Sequence, residues 1–334
     1  MVRRALGTVA RRLLVAGGAD VRGRHQRRHD LLIVCYHGVT AAASADHWLH
    51  LPARAFEAQI AHLAAHYRCL PLDDALAALA GPGLDAPAAC VTFDDGYRNN
   101  RTVAAPILAR HGVPATIYLN TGLLGRADGL WTTRLEFAIA SSPAASLDLA
   151  ALGLDQVALG APATRSATAR RLVARLKRLP RAERRQAEAA VLAAAGAGEP
   201  RLPADFTFMD WDDVRALGDS GLVTFGGHTR HHEIVSRLDD ADLADEVAGS
   251  IRDVTDAVGP ALSRTFAYPN GTPDDYDDRA IAMLAAAGAV GAVTTRPGRN
   301  APGTPPYELR RVVVGAWDGV DDFRLRCAGV LNAG

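Results

Sequence analysis

Val91-Thr92-Phe93-Asp94-Asp95-Gly96 ends an apolar run with two adjacent carboxylates and a glycine. In mid-strand, consecutive aspartates would put one charge on each face of a sheet, because side chains alternate. At the end of a strand both can turn toward a cleft, where α/β folds keep their sites. Gly96 then permits a backbone geometry that other residues disfavour. In such a pair, one carboxylate can bind a cation while the other moves a proton. Asp-Asp-Gly is also a common solvated turn, so the rest of the chain must decide between the two.

Working outward, Leu31-Leu32-Ile33-Val34-Cys35-Tyr36 is a continuous apolar run that stops at His37-Gly38. It reads as a strand buried on both faces. Further strands are expected at 88–93, 115–119, 223–225, 264–267 and 289–294. Helical spacing of apolar residues is found at 56–67, 73–80, 102–111, 211–217, 239–258 and 280–287. Alternation of this kind implies parallel β/α units, and roughly six or seven of them favour a closed barrel over an open sheet. From about 122 to 205 the rhythm breaks. Residues 169–195 carry Arg, Ala and Leu at helical spacing, which predicts one or two surface helices in an insertion. The expected organisation is a basic segment at 1–29, a barrel at 30–320 with the 122–205 helical insertion, and a tail at 321–334.

The 37 basic and 37 acidic residues cancel, so no electrostatic case exists for nucleic acid as a partner. The four cysteines form no CxxC pair, which indicates neither a disulfide framework nor a zinc–cysteine site. Cys35 and Cys90 lie in strand-like runs and read as buried thiols. Arg3, Arg4, Arg11, Arg12, Arg22, Arg24, Arg27 and Arg28 make the N-terminal segment basic. Its run Leu13-Leu14-Val15-Ala16 is shorter than a signal core or a membrane span, so neither a cleavable signal nor a transmembrane helix is expected. A frayed, solvated tail is the expectation for this segment. Peripheral contact of a basic amphipathic helix with an anionic membrane is the alternative.

Gly226-Gly227-His228-Thr229-Arg230-His231-His232 follows the 223–225 strand. His228 and His232 are spaced so that two imidazoles can meet one cation as a helix begins. With Asp95 they would supply two nitrogens and one oxygen and leave positions open, the pattern of a catalytic divalent metal site. His62 and His66 share the spacing but lie in an amphipathic helix without a carboxylate, and read as boundary histidines. His231 reads as an exposed neighbour.

Thr92-Phe93-Asp94-Asp95-Gly96 resembles the first motif of the polysaccharide deacetylases, the NodB homology domain or carbohydrate esterase family 4. His228-Thr229-Arg230-His231-His232 resembles their second motif, and Phe266-Ala267-Tyr268-Pro269-Asn270-Gly271 their third. Ala292-Val293-Thr294-Thr295 and Leu309-Arg310-Arg311-Val312 are similar to late family segments. The resemblance spans roughly residues 31 to 315, with the insertion poorly matched. It implies a distorted (β/α)7–8 TIM-like barrel of the NodB type acting on an acetylated glycan or polysaccharide. It further implies Asp94 as general base for the attacking water and Asp95, His228 and His232 as ligands of a divalent metal, zinc first, with cobalt, nickel or manganese as alternatives. The amide of Asn270, after Tyr268-Pro269, would stabilise the oxyanion.

Two departures stand out. Many family members place an arginine that orients the base where this chain has Ala267, and Arg264 or Arg310 are the nearest substitutes. No histidine follows His232 to serve as the acid near the C-terminus. Tyr36-His37-Gly38 matches the permuted subset that carries Tyr-His at the end of the first strand, which makes His37 the candidate general acid. The expected activity is N-deacetylation. O-deacetylation and a glycan-binding barrel without activity are the alternatives. A cytoplasmic or peripheral-membrane location is expected, while the family mostly acts at the cell envelope.

Overall fold

The apolar runs expected as strands are strands, and a seventh joins them. They are β1 (Leu31–Tyr36), β2 (Ala88–Phe93), β3 (Ala115–Leu119), β4 (Val223–Gly227), β5 (Leu262–Ala267), β6 (Gly291–Pro297) and β7 (Leu309–Val313). Each is parallel to both neighbours, and β1 pairs with β2 on one side and β7 on the other. The sheet therefore closes into a seven-stranded TIM-like barrel, the expected fold class. The structure is a computed structural model that describes residues 7–42, 47–153, 156–196, 200–316 and 318–331. Every residue of β1 and β2 is buried, which is why both read as unbroken apolar runs. β7 escaped notice because Leu309-Arg310-Arg311-Val312-Val313 puts two charges in a short strand, and one of them points inward.

Around the barrel run α3 (Ala53–His66), α4 (Leu72–Ala80), α5 (Ala105–His111), α9 (Trp211–Gly218), α10 and α11 (Asp278–Ala286). Helix α10 begins as Asp240–Leu243, passes through a π-type segment at Ala244–Ala248, and ends as Gly249–Val258. The main apolar core lies between the strands and these helices, with Phe56, Ile60, Phe93, Phe225 and Val254 buried in it. His62 is buried at the edge of α3 and His66 is exposed. Because all seven strands run the same way, their C-terminal ends share one rim. His37, Asp94, His228 and Asn270 sit just beyond the ends of β1, β2, β4 and β5.

The insertion builds its own small core. Helices α6 (Trp131–Ser141), α7 (Pro162–Leu176) and α8 (Arg181–Ala195) bury Leu135, Ile139, Leu172, Leu176 and Val191 against one another. Arg181 and Arg184 of α8 fasten this unit to the barrel through Glu233, with the Arg184–Glu233 contacts at 2.7 and 2.8 Å.

Near both chain ends the described residues differ from expectation, and residues 1–6 and 332–334 lie outside them. From residue 7 on, the N-terminal segment is a helix pair, α1 (Thr8–Ala16) and α2 (Ala19–Gln26), docked on α12 (Val320–Cys327). Arg324 binds Asp20 at 2.8 Å, and Arg11 reaches Asp322 at 3.3 Å. At Gly23 a Cβ would meet the Ala328 carbonyl at 2.7 Å, so the close approach of α2 requires glycine. The segment expected as a C-terminal tail is this α12, which buries Phe323, Leu325 and Cys327. On α1, Val9 and Leu13 are exposed. Among the described residues no helix is long and apolar enough to cross a membrane.

Candidate metal centre and active site

Three turns at the barrel rim carry the site, and each holds its backbone in the left-handed region. Asp95 (φ 74°), Thr229 (φ 61°), His232 (φ 55°) and Asn270 (φ 60°) are the non-glycine residues with positive φ among the described residues. All four lie in the motifs found in the sequence. Strain of this kind costs roughly 1–3 kcal/mol per residue and persists where the surroundings hold it. Gly96 (φ 78°) continues the first turn, and a Cβ there would meet Leu119 at 2.8 Å.

Asp95, His228 and His232 are brought together and buried, with candidate ligand atoms all within 4.8 Å of one another. The Nε2 atoms of His228 and His232 lie 3.6 and 3.5 Å from Asp95 Oδ1. His228 Nδ1–H donates to the Ala267 carbonyl at 2.7 Å, since a carbonyl can only accept, and this leaves Nε2 with its lone pair toward Asp95. Asn120, at the end of β3, donates to Asp95 Oδ1 at 3.2 Å. Burial, and then the neighbouring Asp94 charge, push Asp95 up to about 7. Burial lowers both histidines below their ordinary values, so they are neutral lone-pair donors. Two neutral imidazoles and a carboxylate that lacks a compensating cation fit a divalent metal.

Asp94 is placed differently. Arg311, fully buried on β7, grips it with two parallel hydrogen bonds of 2.7 Å. The same guanidinium donates to the Thr294 carbonyl and to Thr92 Oγ1, so its fork is fixed. Burial alone would raise Asp94, yet Arg311 holds it well below the usual carboxylate range. This answers the departure at Ala267. Arg264 is exposed and donates to the Gly288 carbonyl, and Arg310 reaches the Pro297 carbonyl. Neither reaches the site, and Arg311 does. In a strand, two adjacent arginines must point to opposite faces, and that was the legible signal.

His37 lies against Asp94, within 4.8 Å together with Cys35. Burial lowers it to about 4, and its Nδ1 is buried without a hydrogen-bond partner. Asn100 holds its backbone carbonyl at 2.6 Å. The Cys35–His37–Asp94 group is a poor metal site. Arg311 already neutralises Asp94, and burial keeps the Cys35 thiol protonated, where it donates to Asp94 at 3.5 Å.

Asn270 lines the same cavity of about 510 Å³ as His37, Asp94, Asp95, His228 and His232. Lys177, from the end of α7, donates to its side-chain oxygen, and the Asn270 carbonyl accepts from Thr295 Oγ1 at 2.5 Å. Tyr268 and Pro269 do not line the cavity. Tyr268 is buried in the apolar layer below, stacked on Tyr276 at 4.4 Å, so this stretch contributes by shaping the turn that presents Asn270. His231 turns away to bond Glu246 at 2.8 Å. Glu246 also accepts from the Arg230 and His231 amides at 2.9 Å, which braces the histidine loop from behind.

The chain belongs to the polysaccharide deacetylase family, whose family model, described as Polysaccharide deacetylase, matches residues 83–292, well over half of its length. No curated protein matches it in sequence. Solved structures with a similar fold include a Streptococcus pyogenes deacetylase, PplD, in complex with acetate (16% identity, 88% of this chain and 96% of that one, TM-score 0.56). IcaB from Ammonifex degensii is similar at 19% identity over 90% of this chain and 97% of its own, TM-score 0.56. A de-N-acetylase from Aggregatibacter actinomycetemcomitans is similar at 16% identity over 89% and 99%, TM-score 0.55. At these identities the likeness speaks for the fold.

Proposed function

We propose that the protein is a metal-dependent deacetylase that hydrolyses the N-acetyl group of an amino-sugar glycan. The observation that carries this is the division of the aspartate pair: Asp95 joins two neutral histidines, while Asp94 is locked by Arg311 beside the same cavity. Asp95, His228 and His232 would hold a divalent metal, zinc first, which supplies Lewis-acid polarisation of the acetamide carbonyl and lowers the pKa of a water. Asp94, kept ionised and oriented, takes a proton from the attacking water. The Asn270 amide, fixed in its left-handed turn, faces the developing oxyanion. His37, neutral at rest and beside Asp94, takes up the proton that Asp94 removed from the water and delivers it to the departing amine. Its low pKa makes the imidazolium a strong acid there.

Acetate release from chito-oligosaccharides and from acetylated xylan, assayed with added zinc or cobalt, tests the reading. Release from the first substrate is expected. Release from xylan alone would assign an O-acetyl esterase, and none from either would refute deacetylation. In parallel, one divalent ion per chain should be present and should be lost in His228→Ala. Peripheral contact with an anionic membrane is supported by exposed Val9 and Leu13 on a helix whose Arg12 is also largely exposed, while Arg11 is paired with Asp322. Cosedimentation with phosphatidylglycerol vesicles should fall in a Val9→Ser, Leu13→Ser variant, and no binding by the wild type would exclude it.

A further inference from the structure

One wall of the cavity is built by the insertion. Along α7, Arg170, Val173 and Ala174 stand at positions i, i+3 and i+4, and Lys177 follows at i+7, so all four face the same way and line the cavity. The following helix, α8, anchors this wall, because Arg184 binds Glu233 directly after the histidine motif.

Asp275, Glu136 and Asp95 are the opposing charges nearest Lys177, but none of them pairs with it directly. Lys177 is half-buried and its ammonium donates to a neutral acceptor, Asn270 Oδ1, with no ion pair among the described residues. Arg170 is exposed at the rim and has neither an ion pair nor a hydrogen bond among the described residues. The carboxylates nearby have other partners: Asp94 is held by Arg311, Asp95 accepts from Asn120, Asp275 accepts from the Thr272 amide at 2.9 Å, and Glu136 bonds His47 at 2.8 Å. Because Asn270 Oδ1 faces the ammonium, its Nδ2 must point the other way, and that donor is buried without an acceptor. Two positive charges thus line one wall of the cavity, and the Asn270 Nδ2 that borders it is left without an acceptor. An ammonium partly removed from water is costly unless an anion accompanies it.

We propose that Lys177, Arg170 and the Asn270 side-chain amide form a subsite for an anionic group, a carboxylate or a phosphate, carried on or next to the acetylated sugar. This rests on the deacetylase reading, since the sugar is what brings the anion to this wall. The insertion then selects acidic glycans over neutral ones.

The test is a calorimetric titration of the zinc-loaded protein with N-acetylglucosamine, N-acetylmuramic acid and N-acetylglucosamine 1-phosphate, at low and high salt. At least one anionic sugar should bind on the order of tenfold tighter than the neutral one, as expected for charged hydrogen bonds, and salt should narrow the gap. Which anion gains more tells carboxylate from phosphate. Lys177→Met should narrow the gap to about twofold, Arg170→Gln should narrow it in part, and Lys177→Arg should keep it. Equal binding of all three sugars by the wild type would overturn the subsite. So would a preference that survives in the Lys177→Met, Arg170→Gln double variant, since the metal alone would then attract the anion. If Lys177→Met weakens neutral and anionic sugars alike, Lys177 only holds Asn270 and the subsite falls. Should Lys177→Met fail to fold, the Arg170→Gln and Lys177→Arg arms still decide. Acetate release by the wild type is scored separately: its absence refutes deacetylation but leaves a binding preference standing, whereas release with equal binding refutes the subsite alone.

Discussion

Arg311 sets the behaviour of Asp94, and its burial makes the pair sensitive to change. Both charges are withdrawn from water, so each is tolerable only in the presence of the other. Arg311→Met should destabilise the fold by about 3–5 kcal/mol in denaturant titrations, the usual cost of leaving one member of a buried pair behind. Combining it with Asp94→Asn should recover part of that loss, and no recovery would show that the cost lies elsewhere. Arg311→Lys keeps the charge but not the planar fork. It should therefore lower kcat while metal content stays at wild-type level. At this scale the candidate metal residues were legible, because two histidines beyond a strand end and a strand-end carboxylate are a strong local pattern. Arg311 was only half legible. Its segment was singled out, but which of two adjacent arginines faces inward depends on strand register, and β7 was not expected as a strand.

Two π-type segments do the work of placing polar groups behind the site, and periodicity does not reveal them. Asn100–Ala104 puts Asn100 onto the His37 carbonyl, and Ala244–Ala248 puts Glu246 under the histidine loop. A π turn widens the helix locally and re-aims one side chain, which is why such turns recur at functional sites. To the helical pattern both stretches look ordinary, so 102–111 and 239–258 were expected as plain helices. Glu246 is fully buried, and Arg181 and His231 help keep it ionised against the penalty of burial. Glu246→Gln retains the shape but weakens the acceptors that fix the Arg230 and His231 amides. Loss of an outer partner of this kind should weaken metal binding about 10–100-fold, measured by competition with a chelator. Unchanged affinity would mean that the loop holds its shape without Glu246.

For the molecule as a whole, the closed barrel followed from the alternation of apolar runs and helical stretches. The docking of the chain ends did not, since a basic segment with few apolar residues carries little sign of what it packs on. Nor did the role of the insertion, because Lys177 and Asn270 are 93 residues apart in the chain. The docked ends carry a pH dependence of their own. His62 on α3 lies against Tyr67 and Phe323, with His66, Arg24 and Arg324 nearby and Asp20 as the opposing charge. Burial, and then His66, lower His62 from 6.5 to about 4. Above pH 6.5 the folded and unfolded chains both hold it neutral, and it contributes no pH dependence. Below 6.5 the unfolded chain takes the proton first, so stability falls with pH until the folded protein is protonated near 4. The span sets an upper bound of roughly 3.5 kcal/mol at about 1.4 kcal/mol per unit, reduced because His62 keeps some contact with solvent. Wild type and His62→Gln should be unfolded in denaturant across pH 7 to 4. Their difference removes the contribution of the candidate metal site, which both share. The wild type should lose stability relative to the variant between 6.5 and 4, and a difference that does not vary with pH would sink the assignment.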